Sequence, residues 1–508
     1  MTLDRALWRI WPELPRATIS PNIYGHFAEH LGRCIYEGIW VGPESMIPNE
    51  DGFRLDTLRA LRELPTPVLR WPGGCFADDY HWEDGVGPRE HRPRRRNLWW
   101  HGEDSNHFGT DEFVEFCRRI GAQPYICANV GSGTPAEAAN WVEYCNGTAS
   151  THYVQFRRAN GHVEPHGVRY WGVGNENWGC GGNFTPEEYA AAYRRFATYM
   201  KGRSDEIELI AVGDHAEGHQ GPDWNRRFLD ALGVEQNPRL LRLIDHLSVH
   251  RYFRPGNDVA YTDEEYYEFL QRALVVEEDL RRARDLLSYY SQCAGGQKRI
   301  GLVVDEWGTW YYQARNDTGL EQRSTLLDAV VAGGTLNLFN RWADWVTMAN
   351  IAQTVNVLQA VIQTAEEKLW LTPTYHVYRL YAAHMGQRVL TDELETPERE
   401  VRQADGKPGS LPLVSASASR SADGRELVLT LVNRHLTDAV ECAVQIEGEA
   451  RAWAGTLDRL ADEDVRAFNS ASEPGRVRPE ARPCSASGGE FAVVLPAHSV
   501  SALRLAGS

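Results

Sequence analysis

Two apolar segments of the chain end in a carboxylate: Tyr170-Trp171-Gly172-Val173-Gly174-Asn175-Glu176 and Ile300-Gly301-Leu302-Val303-Val304-Asp305-Glu306. Hydrolysis of a glycosidic bond needs such a pair. One carboxyl gives a proton to the departing oxygen while the other attacks the anomeric carbon, and enzymes that retain configuration hold the two about 5–5.5 Å apart. The plain alternative for either glutamate alone is a carboxylate paired with a neighbouring arginine, because ion-pair networks also gather at strand ends. Two such segments together, with Asn175 beside the first glutamate, favour chemistry. Neighbours assign the roles. Asn175 offers an amide to a substrate hydroxyl, and the nearby apolar ring of Trp178 favours the proton-carrying form of a carboxyl, which suits Glu176 as general acid/base. Glu306 must stay ionised to act as nucleophile. Arg70 and Tyr252, each closing another apolar run, are expected to supply it with charge and a hydrogen bond.

Those carboxylates need a frame. From about residue 18 to residue 386 short apolar runs alternate with amphipathic stretches, the βαβα pattern of a parallel sheet. Eight candidate strands are read: Ile19 to Gly25, Pro67 to Trp71, Pro124 to Val130, Tyr170 to Asn175, Leu209 to Gly213, His246 to Tyr252, Ile300 to Glu306 and Trp345 to Ala349. Between them lie helical stretches such as Pro186 to Met200, opened by Thr185 as N-cap, and Thr262 to Tyr290. Eight repeats predict an α/β fold, a (β/α)8 TIM barrel, with the site at the C-terminal ends of the strands. The residues that close the runs, among them Glu29, Asn175, Glu176, His215, His250, Tyr252, Glu306 and Gln353, are its candidate rim.

Beyond the helical stretch Tyr375 to Met385, the segments Leu411 to Ser419, Glu426 to Asn433, Val440 to Ile446 and Phe491 to Leu495 alternate apolar and polar residues, as antiparallel strands of a β-sandwich do. Thr391 to Ser410 reads as a linker and Ala471 to Gly489 as a surface loop. Leu7-Trp8-Arg9-Ile10-Trp11 offers the sandwich an extra strand. The expected domains are therefore residues 1–15 as a segment joining the sandwich, 16–387 as the barrel and 388–508 as a C-terminal, jelly-roll-like all-β sandwich.

A formal charge of −17 repels polyanions, so neither nucleic acid nor an anionic membrane surface is an expected partner. Seventeen Trp and 21 Tyr supply flat rings able to stack on sugar faces, although most such rings sit in cores. The nine cysteines are scattered without a CxxC pair, which suggests neither a zinc site nor a disulfide framework. The first residues, MTLDRALWRIWPELPRA, lack the unbroken apolar stretch of a signal peptide, and the expected location is the cytoplasm. Asn146-Gly147-Thr148 matches a glycosylation sequon and is read as a turn.

The chain resembles the family 51 α-L-arabinofuranosidases over nearly its whole length. The resemblance is carried by Asn22-Ile23-Tyr24-Gly25-His26-Phe27-Ala28-Glu29-His30, Arg70-Trp71-Pro72-Gly73-Gly74-Cys75-Phe76, Trp82-Glu83-Asp84-Gly85-Val86-Gly87-Pro88, Gly174-Asn175-Glu176, Ser248-Val249-His250-Arg251-Tyr252 and Asp305-Glu306-Trp307. It implies a retaining, exo-acting hydrolase that releases terminal arabinofuranose from arabinan, arabinoxylan or derived oligosaccharides. On the same likeness Glu176 is the acid/base and Glu306 the nucleophile. Glu29, Cys75, Asn175 and Gln353 would grip the sugar hydroxyls, His250 and Tyr252 would flank the nucleophile, and Trp99, or its neighbour Trp100, would pack on the substrate. No cofactor or metal is implied, and a homo-oligomer, a hexamer, is. Many bacterial members follow the acid/base with Met-Asp-Gly, whereas this chain has Asn177-Trp178-Gly179-Cys180-Gly181-Gly182-Asn183, a departure on the leaving-group side. Two rivals remain at this stage: an endo-β-1,4-glucanase or xylanase of the same clan, and a sugar-binding protein without catalysis.

Overall fold

The computed structural model describes residues 4–214, 223–254, 256–296, 298–403 and 406–507. His215 of the expected rim lies outside them. Eight strands pair in parallel and close a barrel: β2 (Gly25–Phe27), β3 (Val68–Trp71), β4 (Gln123–Ala128), β5 (Tyr170–Val173), β6 (Glu208–Ala211), β7 (His246–Phe253), β8 (Gly301–Thr309) and β9 (Val346–Ala352). Closure is made by β9 on β2, with Asn350 opposite Gly25 and Ala352 opposite Phe27. Every residue of β8 is buried, which is why the run reads as continuously apolar in place of alternating. Helices α1 (Leu55–Glu63), α2 (Thr110–Ile120), α3 (Pro135–Asn146), α4 (His152–Ala159), α5 (Pro186–Lys201) and α6 (Trp224–Leu232) cover the first half of the barrel. Thr185 caps α5 in a reciprocal pair with Glu188. Trp82, Trp141 and Trp171 lock α3 to β5, with centroids 6.1 Å and 5.7 Å apart in a stacked and an edge-on pair. The sequon residue Asn146 ends α3 and is tied to Val168 by both halves of its amide.

Four expectations are corrected. The first barrel strand is shorter than Ile19 to Gly25: Ser20 caps a single 3-10 turn over Pro21–Tyr24, where proline lacks the ladder N–H, so the strand starts at Gly25. The helical stretch Thr262 to Tyr290 is two helices, α7 (Asp263–Ala273) and α8 (Val275–Cys293). Their faces serve different neighbours, α7 a β-hairpin of the second domain and α8 the strands β7 and β8, and helical periodicity is blind to such a bend. The expected linker Thr391 to Ser410 overlaps β10 (Arg388–Glu395) and the paired strands Glu398–Arg402 and Pro408–Pro412. The expected loop Ala471 to Gly489 contains a strand, Glu480–Ser487. Polar, charged and proline-bearing residues suit sheet edges, and such strands read as loops.

The C-terminal domain is a nine-stranded sheet. Its members are β1 (Asp4–Thr18), β10, β11 (Val414–Arg420), β12 (Glu426–Asn433), β13 (Val440–Ile446), β14 (Ala452–Leu460), β15 (Glu480–Ser487), β16 (Glu490–Leu495) and β17 (Ser499–Gly507). β1 lies between β10 and β13 and sends Ala6, Trp8 and Ile10 into the core of this domain. Helix α9 (Leu326–Arg341) is wedged between barrel and sheet and is buried on nearly every side, as its all-round apolar surface requires. Its Asn340 accepts from Tyr24 of the barrel and donates to Ser417 of the sheet, while α10 (Pro373–Tyr381) packs beside it. Among the described residues no helix is long and apolar enough to cross a membrane.

Candidate active site

The strand ends bring the two glutamates together. Glu306 sits within β8, and Glu176 follows β5 in the turn that Gly174 opens. Both Gly174 (φ 86°) and Glu176 (φ 42°) lie in the left-handed region, a costly conformation for a glutamate that the surrounding contacts must hold. His250 Nδ1 lies 2.9 Å from Glu176 Oε1 and 3.6 Å from Glu306 Oε2. One carboxylate oxygen from each glutamate and a ring nitrogen of His250 all fall within 4.8 Å of one another.

Glu306 is almost wholly surrounded. Arg70 Nη1 donates to Oε1 at 2.8 Å and the Tyr252 hydroxyl donates to Oε2 at 2.8 Å. Burial alone would raise its pKa, but the charges of His250 and Arg70 and these hydrogen bonds hold it below the usual carboxylate value. It is therefore ionised, as a nucleophile must be. Burial works against charge on His250 too, yet Glu306 and Glu176 outweigh it and raise its pKa, so a proton is kept between the two carboxylates. Arg70 also donates to Asn175 Oδ1 at 2.6 Å and faces Asp305 at 3.5 Å, and its guanidinium lies over the Phe27 ring at 4.6 Å. Asp305 is pinned by the Tyr125 hydroxyl (2.8 Å) and Asn350 (3.1 Å), so the cation and its three acidic or amide partners form one buried network.

Glu29 closes the other side. It accepts the Phe76 N–H (3.1 Å), the Trp100 indole N–H (2.8 Å) and the Gln353 amide (3.2 Å). Burial, then the charge of Glu306, push its pKa up to about 8. Between them lies Gly74: a Cβ there would sit 3.1 Å from Glu306 Oε1 and 3.2 Å from both Glu29 oxygens, so any side chain intrudes into the space the two carboxyls face.

Glu29, Arg70, Asn175, Glu176, His250, Tyr252, Glu306 and Gln353 thus converge. Two expectations change. Cys75 is in a disulfide with Cys180, a pairing the scattered cysteines did not suggest, which leaves Cys75 no S–H to offer a hydroxyl; the partners are 105 residues apart and only the barrel rim joins them. It is Trp100 that reaches Glu29, whereas Trp99 makes a backbone bond to Asn97. Trp178 sends its indole N–H to Gly213 O. Asp78 was missed: its buried carboxylate accepts the backbone N–H groups of Val130 and Gly131 on one oxygen and of Asn175 on the other, at 2.7–2.8 Å. An acid next to Phe76-Ala77 in the turn after the Arg70 strand was the available signal.

The chain matches the model of the α-L-arabinofuranosidase 1 domain over residues 60–268 and that of the α-L-arabinofuranosidase C-terminal domain over residues 305–499. It is 39% identical over 497 residues to an intracellular exo-α-L-arabinofuranosidase of Bacteroides ovatus, covering 96% of this chain and 93% of that protein. With α-L-arabinofuranosidase C of Emericella nidulans it shares 36% over 509 residues, covering 97% and 96%. The crystal structure of the GH51 arabinofuranosidase from Xanthomonas axonopodis pv. citri superposes with a TM-score of 0.90 at 38% identity, over 99% of both chains. The arabinose complex of the Thermotoga maritima enzyme gives 0.87 at 36%, over 98% of this chain and 99% of that one.

Proposed function

The chain belongs to the family 51 α-L-arabinofuranosidases, and on that premise we propose that Glu176 and Glu306 release terminal arabinofuranose from arabinan, arabinoxylan or their oligosaccharides by double displacement. The carrying observation is that one oxygen of each carboxylate lies within 4.8 Å of the other, with His250 between them, an approach that supports a retaining pair held about 5–5.5 Å apart.

In the first step a Glu306 oxygen bonds to the anomeric carbon as the bond to the leaving oxygen breaks, and Glu176 passes that oxygen its proton. Arg70 and Tyr252 keep the attacking carboxylate ionised and aimed. His250, 2.9 Å from Glu176 Oε1, holds that carboxyl in place through both steps. In the second step Glu176 takes a proton from water, the water oxygen bonds to the anomeric carbon, and the ester to Glu306 breaks. Glu29, protonated below about pH 8, and the Asn175 and Gln353 amides are the groups for the sugar hydroxyls. A binding protein without turnover has no use for this arrangement.

For Glu176→Ala, substrates with a good leaving group should form the glycosyl-enzyme and stall, and azide should restore turnover. Proton NMR should detect the substrate's own anomeric configuration in the first-formed sugar. Absence of rescue counts against Glu176, and inversion overturns the two-step mechanism. The intracellular Bacteroides ovatus relative supports a cytoplasmic location. Assembly as a hexamer rests on family likeness, and light scattering tests it.

A further inference from the structure

Away from the catalytic carboxylates, two histidines and an aspartate from separate elements converge. Asp111 stands in the first turn of α2, while His162 and His166 belong to the loop between α4 and β5, where Pro165 stiffens the three-residue spacer between them. His166 Nε2 lies 2.9 Å from Asp111 Oδ1 and His162 Nε2 lies 3.5 Å from Asp111 Oδ2. One donor atom from each of the three falls within 4.8 Å of the others. Backbone bonds hold both residues in the loop: the His166 main-chain N–H donates to Cys145 O at the end of α3, and that of His162 donates to Arg157 O in α4.

We propose that Asp111, His162 and His166 form a site for one divalent transition-metal ion of the zinc or cobalt type. Two imidazoles sharing a tetrahedral ion at N distances of about 2.0–2.1 Å place their ring centres about 5 Å apart. Those of His162 and His166 are 5.1 Å apart and tilted by 57°, so the rings do not stack. Two nitrogens and one carboxylate oxygen suit a borderline ion, not the hard cations that prefer all-oxygen shells. The Tyr144 hydroxyl lies 2.9–3.0 Å from both Asp111 oxygens and orients the carboxylate, and Asn160 in turn donates to Tyr144. A cleft of ≈ 440 Å³, lined by Asn160, His162 and Asp111, opens onto the cluster and admits an ion and the water that would complete its shell. Arg118 and Arg157 are within electrostatic reach and oppose the cation, which weakens its affinity. A hydrogen-bonded Asp–His–Tyr cluster that takes no ion is the competing outcome. The ion would staple α2 to the α4–β5 loop, a stabilising role separate from hydrolysis.

The test is titration of the full-length, chelator-stripped protein with Zn²⁺ and Co²⁺, followed by calorimetry, elemental analysis and the visible bands of tetrahedral Co²⁺. One equivalent should bind, the unfolding midpoint should rise, and His162→Ala should weaken binding at least tenfold without changing kcat/KM. His162 is on a partly exposed loop, and His162→Gln, which keeps a polar group there, provides a second variant. Another cluster able to take an ion is Glu176, His250 and Glu306, and an ion there competes with substrate. Failure to bind stoichiometrically, or binding that survives both His162 variants and inhibits hydrolysis, overturns the proposal.

Discussion

Cys75 and Cys180 are joined by a disulfide that ties the turn after the Arg70 strand to the loop after Glu176, with Cys180 Sγ 3.7 Å from Glu176 Oε2. The link spans 105 residues, and removing it frees a long stretch of the unfolded chain. Reduction, or Cys180→Ser, should therefore lower stability by about 2–4 kcal/mol. Kcat should fall as well, because the Glu176 loop loses its tether. Urea unfolding and turnover measured with and without dithiothreitol check this, and coincident curves count against it.

Tyr252 places one hydrogen bond on the Glu306 carboxylate. A hydrogen bond to a charged group contributes about 1.5–3 kcal/mol. Tyr252→Phe should lower kcat by roughly 10- to 100-fold with a smaller change in KM. Steady-state kinetics on a nitrophenyl arabinofuranoside provide the readout, and a wild-type kcat would remove Tyr252 from the machinery.

Arg70 is the cation of a buried network that includes Glu306, Asp305 and Asn175. Arg70→Met leaves buried carboxylates without their partner, at about 3–5 kcal/mol. Both a lower unfolding midpoint and near-complete loss of turnover are expected. Retained stability would mean that solvent reaches the network.

Asp78 touches no reacting atom but holds the backbone of Asn175 against that of Val130 and Gly131. An asparagine has one acceptor oxygen and turns an NH₂ toward backbone donors. Asp78→Asn should reduce kcat about tenfold through misplacement of Glu176, with arabinose affinity moved less. Equal loss of both would indicate general unfolding.

Glu29 has a native pKa of about 8, raised by burial and then by Glu306. Its proton is present through neutral pH and lost above about 8, so KM should rise on that alkaline side and Glu29→Gln should abolish the rise. The same shift bears on stability: a carboxyl with a raised native pKa contributes fully below its unfolded value of 4.5 and loses that contribution as pH climbs to about 8. Glu29→Gln should therefore flatten the decline of the unfolding midpoint over that window. An unchanged slope would show that Glu29 is ionised in the native protein.

Some of this was legible in the chain alone. Buried parallel strands are continuous apolar runs, so seven of the eight barrel strands stood out, all but the short first one, and with them the carboxylates at Glu176 and Glu306. The mostly apolar run Leu7 to Trp11 likewise marked a strand, because composition over a few residues is a local property. Partnership is not local. Cys75 and Cys180, Asp78 and Asn175, and Glu29 and Trp100 meet over separations of 71 to 105 residues. No periodicity specifies which thiol faces which, or whether Trp99 or Trp100 turns inward. Barrel closure decided these, by packing eight strand ends so tightly that His250 lies within reach of two glutamates from different strands and takes its charge from both.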